Sequence, residues 1–149
     1  MKKRKLYFLC AFFLFCTTSL LLITGSSLLT LSLNNSNTVP LGTFITWFGI
    51  IALPLTLYFG INEFENPSTK MTKILAILIK ASITLAVLWI VISYILAGNI
   101  SFTFSETNNF QGGQLAMKLF WINTYGTIII PILILITYWV SKLFFKFSK

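Results

Sequence analysis

The chain has 149 residues, of which 56% are apolar and only 9% charged, and its mean hydropathy is +0.87. At roughly 20 apolar residues per crossing helix, such a chain accommodates four membrane spans and no separate soluble domain. With no histidine, imidazole-ligated metal or haem and histidine acid–base work are excluded, and with three carboxylates carboxylate-pair chemistry nearly so, so neither a cofactor nor an enzymatic activity is expected.

In chain order, apolar runs at 6–27, weakly extended to 33, and at 41–61, 74–97 and 119–141 predict an all-α membrane protein. It has four transmembrane helices in one domain, 1–149. The connections 34–40, 62–73 and 98–118 are polar and rich in turn residues. A basic start followed by an apolar run is shared with secretory signals, whose apolar core spans roughly 7 to 15 residues. Here apolar character persists from Leu6 through Ile23 and resumes at Leu28, Leu29, Leu31 and Leu33, which predicts an uncleaved anchor.

Lysine and arginine accumulate on the cytoplasmic side of spans. Lys2, Lys3, Arg4 and Lys5 precede the first span, Lys70, Lys73 and Lys80 open the third, and Lys142, Lys146 and Lys149 follow the fourth. Lys118 alone falls on the other side. Both termini are therefore predicted to be cytoplasmic. With Glu63 and Glu65 set against the ten inner cations, and Glu106 against Lys118, the whole net charge of +8 faces the cytoplasm. These cations sit at span ends, where they fix topology and meet anionic lipid, and no nucleic-acid contact is expected. Tyr7, Tyr58, Tyr138 and Trp139 at one boundary, and Tyr94 and Trp121 at the other, read as interfacial belts.

Cys10 and Cys16 lie six residues apart on one predicted helix, roughly 9 Å of rise, beyond disulfide reach. They read as small buried apolar residues. Lys80 is the one ionisable residue well inside an apolar run, either snorkelling to the interface along its flexible stem or contacting a pathway or partner within the membrane. The second and fourth spans share a pattern, ITWFGIIALP at 45–54 and INTYGTIIIP at 122–131. In each, a glycine (Gly49, Gly126) precedes a mid-span proline (Pro54, Pro131) by five residues. A kink is expected at both prolines, either as paired hinges of a repeated hairpin or through chance similarity of apolar segments.

Gly42, Thr46, Gly49, Thr56 and Gly60 form a small-residue seam on the second span, which predicts close helix packing. Ser82, Ala86, Ser93 and Ala97 keep the same spacing on the third span. The two seams predict a compact bundle or equally a homo-oligomer. In the 98–118 connection, Phe102 and Phe104 alternate with small polar residues and Phe110 follows among turn residues. This reads as a short strand or interfacial hairpin, suited to recognition or to lying on headgroups. Glu63 and Glu65 make the 62–73 connection a second candidate reader. The closing SKLFFKFSK reads as an interfacial anchor.

Size, basic uncleaved start and charge-poor spans, over the whole chain from Met1–Lys5 to Lys142–Lys149, resemble the TraS exclusion proteins of F-like conjugative plasmids. The resemblance implies an inner-membrane protein of the recipient cell that blocks DNA transfer from a donor carrying a related plasmid, by recognising the donor's TraG-type mating protein. The alternative is an immunity protein against a pore-forming colicin, which would bind the toxin's helices within the bilayer. Fusions of alkaline phosphatase after Val39 and Asn109 are expected to be active, and fusions after Asn66 and Lys149 inactive. An active Lys149 fusion would overturn the predicted topology.

Overall fold

The computed structural model describes residues 2–33, 39–98, 110 and 112–147, and the side chains among them except those of residues 2 and 145–147. Five helices follow in order: α1 (Lys2–Ile23), α2 (Leu41–Gly60), α3 (Asn62–Glu65), α4 (Lys70–Ala97) and α5 (Gly113–Phe147). Four of them, all but α3, are long and apolar enough to cross a membrane. The chain is an all-helical multi-pass membrane protein. Its four long helices alternate in direction. Arg4 at the start of α1 meets Phe59 at the end of α2, and Lys142 near the end of α5 meets Glu63 just before α4.

Helix ends follow local chemistry rather than the hydropathy profile. The first apolar run extends to 27 or beyond, yet α1 stops at Ile23 because Gly25 takes a left-handed φ of +59°; a 3-10 turn, Ser27–Thr30, then begins under a Ser26 cap. Helix α4 starts at Lys70, four residues earlier than hydropathy implies, because Thr69 and Thr72 form a reciprocal capping box. It ends on Gly98 at φ +75°. Helix α5 begins at Gly113 rather than 119 and runs unbroken through Phe147. The expected separate interfacial anchor is thus the last part of the fourth long helix. Its 35 residues rise about 52 Å against a hydrocarbon core of about 30 Å, so its ends stand clear of the core.

Helix α2 is central. It packs on α1, α4 and α5, while α4 and α5 pack on each other and α1 packs chiefly on α2. The glycine seam explains the closeness of α1 and α2. A Cβ on Gly42 would lie 2.7 Å from the Leu29 carbonyl oxygen, one on Gly49 would lie 2.9 Å from Thr18 Oγ1, and one on Gly60 would lie 3.0 Å from Phe8. These glycines therefore face α1 and the turn after it, not the third span. Ser82, Ala86, Ser93 and Ala97 are buried on another side of the bundle, and the two serine hydroxyls have no hydrogen-bond partner among the described residues. They serve as small residues there.

The proposed correspondence of the second and fourth spans does not extend to packing. A Cβ on Gly126 would meet nothing nearer than its own helix's Ile130 at 3.9 Å. Pro54 and Pro131 are both fully buried within unbroken helices. Replacing Gly49 by leucine forces the α1–α2 seam apart, an overpacking cost of about 1–3 kcal/mol, whereas Phe48→Leu on the exposed face leaves it intact. Thermal unfolding in detergent is expected to show a lower midpoint for Gly49→Leu alone, and equal midpoints would show that the seam is not a close contact.

Candidate functional site

Two of the chain's cations, Arg4 and Lys142, converge on the acids of α3. This four-residue helix, Asn-Glu-Phe-Glu, joins α2 to α4 and points its three central features in three directions. Phe64 is fully buried, in a cluster with Leu75 and Ile79 of α4 and Ile134 and Tyr138 of α5. Its ring meets Tyr138 edge-on at 5.4 Å. Glu63 pairs with Lys142 of α5 at 3.2 Å, and the same ammonium donates to the Tyr138 hydroxyl at 2.7 Å. Glu65 pairs with Arg4 of α1 at 3.3 Å. Arg4 also donates through Nε to the Phe59 carbonyl at 2.9 Å and through Nη1 to the Asn62 side chain.

Magnitudes rank these contacts. The carboxylates of Glu63 and Glu65 are 32% and 47% exposed, and exposed ion pairs contribute about 0.2–1 kcal/mol. A fully buried phenylalanine is worth about 3–5 kcal/mol against alanine. Phe64 is therefore the anchor, and the ion pairs orient α1 and α5 around it.

Lys80 completes the basic end. Its ammonium lies 6.0 Å from the centroid of the Tyr58 ring, one cation–π distance, and Tyr58 itself packs against the Phe64 cluster. The lysine stem thus carries its charge toward an aromatic of the neighbouring helix near the basic end.

At the opposite end, Trp47 of α2 donates to the Ala86 and Val87 carbonyls of α4 at 3.1 and 3.2 Å. Trp89 of α4 donates to Thr124 of α5 at 2.8 Å. Phe110 lies in this core, 8% exposed, with its ring 5.4 Å from Phe120. It ties the end of the 98–112 connection to the bundle: of the residues expected to recognise a partner or lie on headgroups, Phe110 is seated in a hydrophobic socket. Phe102 and Phe104 lie outside the described residues. Cys10 and Cys16 are free thiols.

Among the described residues, clefts open on the α1 side. One, of about 360 Å³, is lined by Arg4, Lys5, Phe8, Phe59, Gly60 and Asn62. Another, about 260 Å³, lies between Phe15, Thr18 and Leu22 of α1, Gly49 and Leu53 of α2, and Ile128 and Ile132 of α5. Sequence reasoning missed Arg4 and Phe64 as structural centres. The signals were an arginine among lysines, whose planar fork serves several acceptors at once, and a phenylalanine flanked by acids in an otherwise polar connection.

The geometry defines a multi-pass membrane protein whose described charges, Lys118 apart, are gathered at one end. No protein-family model, no curated protein and no solved structure matches this chain. In chemical denaturation from detergent micelles, Phe64→Ala is expected to lose about 3–5 kcal/mol, and Glu63→Gln and Glu65→Gln no more than about 1 kcal/mol each. Comparable losses in all three would show that the ion pairs carry the junction.

Proposed function

We propose that this is an exclusion protein of a conjugative plasmid, seated in the bacterial inner membrane with both termini in the cytoplasm. It blocks redundant DNA transfer into the recipient by recognising a TraG-type mating protein of the donor. The observation that carries this reading is how the bundle uses its polar groups. Glu63, Glu65, Arg4 and Lys142 are engaged with one another, Lys80 rests over Tyr58, and Trp47 and Trp89 donate between helices. A protein built this way acts through the surfaces it presents. The α3 segment lies at one end of the bundle, and the 98–112 connection, whose Phe110 is held in the core toward the other end, is the candidate reader.

Immunity against a pore-forming colicin is the second reading, and the lateral cleft between α1 and α5 favours it, because an inserted toxin helix meets the protein within the bilayer. Expression in a plasmid-free recipient is expected to reduce transfer sharply from donors of the matching plasmid type and to leave unrelated plasmids unaffected, since specificity is a difference in contacts with one donor protein. Serine at both Phe102 and Phe104 is expected to weaken exclusion without removing the protein from the membrane. Phe110 is left in place in that variant because it is a core residue. Unchanged transfer from matching donors, together with protection against a pore-forming colicin, would replace the exclusion reading by the immunity reading.

A further inference from the structure

We propose that the cleft at the basic end of the α1–α2 seam binds one anionic phospholipid, with its phosphate on Arg4 and Lys5 and an acyl chain lying along α1. This is independent of the exclusion reading. Two cations from adjacent positions of α1 share the cleft with the aromatic faces of Phe8 and Phe59, so one mouth carries positive charge above an apolar floor. Arg4 is only partly used by the protein. Its Nε meets the Phe59 carbonyl and the Glu65 carboxylate and its Nη1 the Asn62 side chain, while Nη2 is enclosed without a hydrogen-bond partner among the described residues. A guanidinium nitrogen without an acceptor is costly, and a turn of the Arg4 side chain toward the cleft would bring it to a phosphate oxygen in the geometry arginine favours. The Lys5 ammonium, exposed on the same rim, supplies the second positive charge.

The apolar floor beside the cations decides between a lipid and a free anion. Phe8 and Phe15 are seven residues apart on the face of α1 turned to α2, and both line clefts on that seam. From Lys5 to Phe15 the helix rises about 15 Å, half of a hydrocarbon core about 30 Å thick. The two clefts share no lining residue, and an acyl chain of one leaflet is long enough to run along α1 from the cationic mouth of the first to the edge of the second. Gly60, which lines the mouth, keeps the floor open where a larger side chain would meet Phe8.

The test is native mass spectrometry of the full chain released from micelles with phosphatidylglycerol, phosphatidylcholine or glycerol 3-phosphate as the probe. One tightly held phosphatidylglycerol is expected at concentrations where phosphatidylcholine and glycerol 3-phosphate are not retained. Arg4 also joins helices, so the informative variant is Lys5→Gln, which is expected to weaken phosphatidylglycerol retention about tenfold, the scale of one charge-assisted contact. Lys3→Gln removes the same charge outside the cleft and is expected to leave retention unchanged. Equal losses in the two variants would show diffuse surface attraction and overturn the site. Equal retention of the two lipids would also overturn it, as would retention of glycerol 3-phosphate as tight as that of phosphatidylglycerol.

Discussion

Burial of Phe64 is the constraint around which the basic end is organised. The residue sits in a connection of polar and acidic neighbours, and its ring is accommodated only where α4 and α5 together with the end of α2 leave a socket. Placing the ring there fixes the direction of the residues on either side of it. On so short a helix, Glu63 and Glu65 flank the anchor and point away from it, one toward α5 and the other toward α1. Four helices that alternate in direction thus meet at one small junction. The strength of the junction comes from removing an aromatic ring from water at the membrane boundary, while the ion pairs select which cation of which helix lies beside each acid.

Away from that boundary the driving forces change. Within lipid, association of apolar helices gains little from the hydrophobic effect, and close packing and interhelical hydrogen bonds take over. The structure uses both in different places. Trp47 and Trp89 cross from α2 to α4 and from α4 to α5, satisfying indole donors that hydrocarbon would leave unpaired. The α1–α2 pair relies on glycine and side-chain contact instead. Helix α1 consequently sits beside the three-helix core rather than within it, and the clefts form along its edge.

That asymmetry links the architecture to the proposed roles. Helices α2, α4 and α5 pack on one another and form a support to which Phe110 fastens the end of the long connection, opposite α3. A recognition segment held at its root orders fewer residues on contact than a free one does, which lowers the cost of binding. The more open flank of α1 is instead where the surrounding lipid, or another intramembrane helix, meets the bundle.

Much of this was determined by the sequence alone. Four spans, their order and the gathering of charge at alternate connections follow from hydropathy and from the placement of Lys2–Lys5, Lys70, Lys73 and Lys142, because transfer into hydrocarbon is a property of each segment by itself. The helix ends were less legible: a threonine capping box and left-handed glycines act through local hydrogen bonds and backbone freedom, which a hydropathy profile does not weigh. The glycine seam was visible as a spacing, but its partner was not, since small residues at heptad intervals suit any neighbour and only the tertiary arrangement turned Gly42, Gly49 and Gly60 toward α1. Phe110 and Phe64 mark the same boundary. An aromatic in a polar connection is equally able to face a partner, a headgroup or a socket, and the choice belongs to whether other segments assemble a cavity of its size, which tertiary structure alone decided.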